Sequence, residues 1–289
     1  MLSHMPPRFS IVTPSFNSGD CLRLACASVA DQSGVTVEQI VADGGSTDGT
    51  RSWLETRSGL RWISEPDSGM YDAVNKGLAM AHGDLFGYLN CDEQYLPGTL
   101  SSVASMFDAH PEVDLLYGDM LVVSGDGALL AFRKSYPLRW PYIAAAHLYV
   151  PSCALFWRRR VLDAGVAFDT RWQIQGDADF VIRTLRAGFH AAHLPLYLAT
   201  FALTGANLGN TSAALAEMIA ARREAPWWIR RLRIGWDAAR LTEKMLSGAF
   251  CQRFPLAYEI YTQDSHSQRA RFTATRGTFR WPSPRGGAI

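Results

Sequence analysis

Three short stretches of this chain set carboxylates where an apolar, strand-like run gives way to a loop or a helix start. The first is Asp43-Gly44-Gly45-Ser46-Thr47-Asp48-Gly49-Thr50. Its glycines let the backbone turn sharply, and Ser46 or Thr47 can cap the helix that follows. Asp43 can accept hydrogen bonds from a nucleobase or a ribose, or it and Asp48 can be turn and cap residues. The second is Asn90-Cys91-Asp92-Glu93, directly after the run LFGYL. Adjacent carboxylates repel each other unless solvent, a donor or a cation compensates. Mg²⁺ or Mn²⁺ with a diphosphate would compensate, because these hard ions often bind one or two carboxylates plus substrate phosphates; a solvated acidic loop is the plainer alternative. The third is Gln175-Gly176-Asp177-Ala178-Asp179, opening a helical pattern. There an acid complements the helix dipole, and an ionised carboxylate in the same place can act as a general base.

Other chemistry is excluded or weakly supported. The chain has no G-x-G-x-x-G, no Gly-Lys-Ser/Thr phosphate loop and no G-x-S-x-G. His190 and His193 are three apart, which matches no recognised metal-ligand set at a strand entry.

The elements that position these acids follow from periodicity. Residues 9–13, 39–42, 61–64 and 85–89 read as strands, and 21–30, 48–57 and 70–81 read as helices. This alternation predicts an α/β fold with a mainly parallel sheet and ligands beyond the carboxyl ends of its strands. Further on, LLYGDMLVV, LLAF and 197–203 are strand-like; 158–164, 177–187, 213–223 and 228–246 are helical. No internal repeat is present.

Composition bounds the rest. The 289 residues are 48% apolar and carry a formal net charge of +1, so the chain can bury a large core and is not built to hold a polyanion. Basic and aromatic residues cluster only towards the carboxyl terminus, which argues against a nucleic-acid partner. Five scattered cysteines without a C-x-x-C pair favour a reducing compartment. No secretory signal is visible, and the uncharged stretch from Trp140 to Trp157 is interrupted by Pro141, His147 and Pro151. A buried or pocket-lining segment is expected there rather than a membrane span, and the protein is expected to be cytoplasmic, soluble or peripheral.

Taken in order, Thr13-Pro14-Ser15-Phe16-Asn17, the Asp43–Thr50 loop, Ser64-Glu65-Pro66-Asp67-Ser68-Gly69-Met70-Tyr71-Asp72-Ala73-Val74-Asn75-Lys76-Gly77 and Asn90-Cys91-Asp92-Glu93 resemble family 2 glycosyltransferases. The similarity is greatest to the bacterial exopolysaccharide and colanic-acid branch, and it covers about residues 8–205. It implies a GT-A domain over 8–205, a helical and basic extension over 206–289, and transfer of a sugar from a nucleoside diphosphate with inversion. On that template Thr13, Pro14, Asn17, Asp43, Ser46, Asp72, Asn75, Lys76, Asn90 and Asp92 bind the donor, and Asp92 faces a Mn²⁺ or Mg²⁺ ion and the pyrophosphate. Asp177 matches the catalytic base, with Asp179 beside it. His147 falls in the acceptor-side region, as a satisfied core histidine or as a group near the acceptor. Two departures stand out: Asn90 replaces the first acid of the metal motif, and Gly176 stands where many relatives have an acid. Asn90 favours a second reading, a degenerate domain that binds nucleotide, glycan or an anionic surface without catalysis; the joint presence of Asp43, Asp92 and Asp177 favours the enzyme.

Beyond residue 205, Trp228, Leu232 and Trp236 form an i, i+4, i+8 apolar stripe flanked by Arg230, Arg231, Arg233 and Arg240. Such a helix can lie on an anionic membrane, on the cytoplasmic face if the acceptor is a lipid-linked saccharide; a solvated packing helix is the alternative. The arm from Arg269 to Trp281 reads as a hairpin turning at Arg276-Gly277 or as an extended tail.

Overall fold

In β1 (Phe9–Ser15) every side chain is buried, as expected of a strand covered on both faces. The computed structural model describes residues 7–203 and 212–282, so the expected boundary at residue 205 lies outside the described residues. After β1 come α1 (Gly19–Ala30), β2 (Val37–Asp43), α2 (Thr50–Glu55), β3 (Arg61–Ser64), α3 (Met70–Ala79) and β4 (Leu85–Tyr88). These four strands are parallel neighbours in the order β3-β2-β1-β4. Their register aligns Ser15 with Asp43 and Asp43 with Ser64, which puts three polar residues side by side at the carboxyl edge.

The second half adds β5 (Glu93–Tyr95), α4 (Thr99–Ala109), β6 (Leu115–Ser124), β7 (Leu129–Arg133), α5 (Trp140–Ala145), a 3-10 turn (Ser152–Ala154), β8 (Leu155–Arg158), α6 (Arg159–Asp163), α7 (Gly176–Arg186) and β9 (Ala191–Leu203). The sheet continues from β4 through β8, β6 and β9 to β5, with β7 on β6. β8 runs antiparallel to β4 and β6, while β6 and β9 are parallel, so the sheet is mixed and mainly parallel as expected. One core cluster gathers Val12, Tyr71, Phe86, Trp157, Phe168 and Phe180; another gathers Ile11, Leu85, Leu100, Phe107 and Phe156. Phe168 stacks on Phe180 at 4.5 Å and on Tyr71 at 5.5 Å, with Trp157 edge-on at 6.0 Å. Each such pair contributes about 0.5–1.5 kcal/mol beyond its buried area. This aromatic stack seats both α3, which carries the second half of the Ser64–Gly77 motif, and α7, which opens with the Gln175–Asp179 motif.

The carboxyl-terminal part forms α8 (Ser212–Glu224), α9 (Trp227–Arg231), α10 (Arg233–Leu246), β10 (Leu256–Thr262) and β11 (Ser265–Ala274). Two expectations are corrected. The helix expected over 228–246 is broken at Leu232, and the hairpin turns between Thr262 and Ser265 rather than at Arg276-Gly277. Tyr258 and Ile260 face the core from β10, and the ladder closes with Thr262 paired to Ser265 after a register shift at Tyr261. The hairpin is held by reciprocal bonds between the Gln94 side chain and the Tyr261 backbone (2.9 and 2.8 Å) and by Arg269 on Asp31.

Candidate active site

At the carboxyl edge, Asp43 is almost fully buried and accepts hydrogen bonds from the Ser46 N–H and hydroxyl, the Gly45 N–H and the Ser64 hydroxyl. Asn17, with φ near +49°, donates its N–H to the Ser46 Oγ and accepts the Thr47 N–H on its Oδ1. The loops after β1 and β2 are thereby locked together. Asp48 caps α2 through the Thr50 hydroxyl and N–H and also holds the Gly19 N–H; these bonds, the Thr50 hydroxyl foremost, keep its carboxyl below the usual range. Beside this wing the Phe16 ring is 66% exposed, a large aromatic face left open at the end of β1. Phe16 belongs to the Thr13–Asn17 segment that the family resemblance sets along the nucleoside pocket; the residue pattern did not single it out, although an aromatic directly after a buried strand was the signal.

Several of the expected donor residues turn out to brace the site. The Thr13 hydroxyl is buried and accepts a hydrogen bond from Gln39 Nε2 (2.9 Å). Pro14 offers its carbonyl to Cys91 Sγ at 3.2 Å, tying β1 to the Asn90–Glu93 loop. Asn75 clamps the backbone of Phe168, donating from Nδ2 (2.8 Å) and accepting on Oδ1 (3.1 Å). Asp72 caps the start of α3 through the Ser68 N–H (3.0 Å), and that bond holds its pKa below the usual range. Lys76 lies 3.0 Å from Glu65 and 3.6 Å from Asp72 and donates to the Pro66 carbonyl; Glu65 foremost raises its pKa.

Three acids converge beyond β4. Asp92 is half-buried, and its backbone carbonyl accepts the Ala202 N–H of β9. Glu93 is buried in β5 and accepts the Asn90 N–H (2.8 Å); desolvation, then the Asp92 charge, pushes its pKa up to about 8, with Asp177 adding to the repulsion. Asp177, on the first turn of α7, is half-buried and accepts the Ala178 N–H (2.8 Å). Desolvation raises it to about 6 against the hydrogen bonds that favour its ionised form. The third and second motifs therefore meet in space.

The start of α7 is fixed by contacts that no motif reveals. A Cβ at Gly176 would lie 2.6 Å from the Tyr71 ring, whose hydroxyl donates to the Ile174 carbonyl (3.0 Å). The departure at residue 176 thus has a steric cause. Glu217, on α8, accepts the N–H groups of Gln173, Ile174 and Gln175 at 2.9, 2.9 and 3.1 Å. Asp179 is paired with Arg183 at 2.7 Å, one turn along. It lines a cavity of about 120 Å³ between α5, α7 and α8 together with His147. His147 is exposed; surrounding protein and then the charges of Arg240, Arg133, Arg222 and Lys244 lower its pKa, so it is neutral at pH 7. A larger cleft of about 480 Å³, between the start of α4, β9 and β10, is lined mostly by apolar groups and lies away from the three acids.

The sequence model of the family described as "Glycosyl transferase family 2" matches residues 10–160, just over half the chain. The chain belongs to that family. A PGL/p-HBAD biosynthesis glycosyltransferase of Mycobacterium tuberculosis is 30% identical over 191 residues, which cover 61% of this chain and 69% of the relative. An uncharacterized glycosyltransferase of the same species is 32% identical over 184 residues, covering 61% and 68%. Among solved structures, S. aureus TarS (residues 1–349, in complex with UDP-GlcNAc) superposes with a TM-score of 0.59 at 16% identity, covering 93% of this chain and all of that one. The mannosyltransferase PcManGT of Pyrobaculum calidifontis, in complex with GDP-Man and Mn²⁺, gives 0.52 at 17% identity, covering 83% and 76%. This family 2 member is therefore a glycosyl-transfer enzyme with a GT-A fold.

For the metal that family members commonly use, the donor set here is sparse. Among the described residues no three histidines, cysteines or acids come together as a ligand group. Asn90 Oδ1 is nevertheless buried without a hydrogen-bond partner, two residues before Asp92. A carboxylate and a neutral oxygen donor suit a hard cation that takes its other ligands from phosphate and water, so the residues fit a metal held chiefly by the substrate.

Proposed function

We propose that this family 2 enzyme transfers a sugar from a nucleoside diphosphate to an acceptor hydroxyl with inversion, Asp177 acting as base. The observation that carries this reading is a half-buried carboxylate with a pKa near 6, set next to Asp92 and Glu93 at the carboxyl edge of the sheet. A base poised just below neutral pH is ionised when it is needed and still able to hold the proton it takes. The acceptor oxygen attacks the anomeric carbon, its proton passes to the Asp177 carboxylate, and the bond to the diphosphate breaks with its electron pair on the leaving oxygen. Asp43, Ser46 and Asn17 form the nucleoside wing, and the exposed Phe16 ring offers a stacking face for the base. Asp92, with Asn90 beside it, would hold a Mn²⁺ or Mg²⁺ ion, which supplies positive charge to the departing diphosphate. Complexes of TarS with UDP-GlcNAc and of PcManGT with GDP-Man and Mn²⁺ support the donor class.

The acceptor side of this proposal is a lipid-linked saccharide of bacterial surface polysaccharide synthesis, worked on at the inner face of the cytoplasmic membrane. Residues 8–205 would then be the catalytic domain and 206–289 its acceptor- and membrane-side extension. No helix among the described residues is long and apolar enough to cross a membrane. The expected membrane stripe is corrected, because Trp228 and Trp236 pack inward, against Trp140 (5.6 Å), Tyr142 (6.2 Å) and each other (5.8 Å). The outward large apolar residues along α9 and α10 are Trp227, Leu232, Ile234, Leu241, Met245 and Leu246, with Arg230, Arg231 and Arg233 exposed among them. The deciding experiment is a transfer assay with a panel of nucleotide sugars on wild type and Asp177→Asn. Loss of about 10²–10⁴-fold in rate with nucleotide binding kept is expected; a variant as active as wild type would remove Asp177 from the role of base.

A further inference from the structure

Around Tyr136, three cations approach one another with little to offset them. Arg240 and Lys244 stand one turn apart on α10. Arg240 donates to the Tyr136 hydroxyl (3.1 Å), its side chain is only 12% exposed, and its buried Nε has no hydrogen-bond partner. Lys244 Nζ sits over the Phe250 ring at 4.6 Å and within 5.9 Å of the Tyr136 and Phe279 rings. Arg133, at the end of β7, donates to the Phe279 carbonyl (3.0 Å). Among the described residues, the carboxylate nearest this group is Asp237, 3.5 Å from Arg240; Glu243 on the same helix is taken by a two-pronged bond from Arg139, and no acid is within ion-pair distance of Arg133 or Lys244. Desolvation, then Arg133 and Arg240, lowers the Lys244 pKa to about 8. Three positive charges gathered on a half-buried surface with a single carboxylate, Asp237, within ion-pair distance cost stability, and a bound anion would repay it.

We propose that Arg133, Arg240 and Lys244 form an anion site that takes a phosphate group of the acceptor. The assignment rests on the transferase reading above and deepens it by naming a phosphate-bearing acceptor. Position separates the site from the donor wing. β7 pairs with β6, and β8 and β4 lie between β6 and the β1–β2–β3 edge that carries Asp43. The link to the acids runs through Tyr149, which stacks on Tyr136 at 4.2 Å and leads into the Ser152–Ala154 turn, where Cys153 feels the charges of Glu93 and Asp92. The phosphate can belong to a lipid headgroup or to a water-soluble phosphorylated acceptor. The exposed apolar face of α10 stands on the same helix as Arg240 and Lys244, which suits the lipid source.

The test is calorimetric titration of the full chain with inorganic phosphate, with chelator present so that no divalent metal assists the donor site. Wild type is expected to bind, Lys244→Gln and Arg133→Gln to bind about tenfold or more weakly, and Lys244→Arg to recover affinity. Unchanged affinity in both glutamine variants, or no binding to wild type, would overturn the site. So would a parallel loss of nucleoside-diphosphate affinity in the variants, since that would return the cations to the donor. Nucleotide binding by wild type reports separately on the transferase reading. Flotation with phosphatidylcholine vesicles, with and without phosphatidic acid, separates the sources: Lys244-dependent capture only with phosphatidic acid supports a lipid phosphate, and Lys244-dependent titration without capture supports a soluble one.

Discussion

Asp177 and Glu93 are carboxylates whose burial moves them in the same direction for different ends. With Asp177 near 6, transfer should fall as pH drops through about 6, because the proton that fills its carboxylate removes the base. A rate profile on wild type should show that limb, and the residual activity of Asp177→Asn should not. Glu93 has no such task in the proposal, and its effect is on stability. Its carboxyl titrates near 8 in the fold against 4.5 ordinarily, so the folded state holds the extra proton between those values. Stability contributed by the protonated form is therefore lost as pH rises across that window, and Glu93→Gln should flatten the dependence in denaturant titrations on either side of it. The acids themselves were legible, because residue type and order at strand ends are local. The bracing duties of Thr13 and Asn75 were not, since Asn75 meets its partner Phe168 across 93 residues of chain.

At the scale of elements, the account turns on how α7 is held. Gly176→Ala would drive a methyl into the Tyr71 ring, which cannot swing away without giving up its bond to the Ile174 carbonyl. A loss of about 1–3 kcal/mol in stability is expected, and a misplaced Asp177 should lower the rate more than it changes donor affinity. Glu217→Ala would free three backbone N–H groups just before α7 and cost about 1–3 kcal/mol. Its kinetic signature should be the same, a reduced kcat with the donor KM kept, although Glu217 lies some 40 residues further along the chain. The strands and helices from β1 to β4 follow the sequence pattern to within a few residues, whereas β5 and α4, directly after the Asn90–Glu93 motif, were not read from it. β8 and α5 did not emerge, because they lie inside one apolar stretch where periodicity cannot separate a buried strand from a buried helix. The break between α9 and α10 was equally hidden, since the tryptophan spacing runs smoothly across Leu232 while the two tryptophans pack against α5 and each other.

For the whole molecule, the proposed nucleoside wing lies at β1–β3, the three acids lie beyond β4, and a cationic, partly apolar face lies on α10. The outer face of α10 exposes Ile234 at 85% and Met245 at 63%. Ile234→Glu combined with Met245→Glu should abolish flotation with anionic vesicles while leaving the melting temperature nearly unchanged, whereas Trp236→Ala should cost about 3 kcal/mol through lost packing. The central claim is that Asp43, Asp92 and Asp177 divide donor binding and proton transfer between them. Its most direct test is calorimetric titration with UDP, GDP, CDP and ADP, each with and without Mn²⁺, on wild type, Asp92→Asn and Asp177→Asn. The account predicts Mn²⁺-assisted binding of one nucleotide, weakened about tenfold or more in Asp92→Asn and kept in Asp177→Asn. Binding that is equal in Asp92→Asn and wild type, or that vanishes in Asp177→Asn on folded protein, would contradict it.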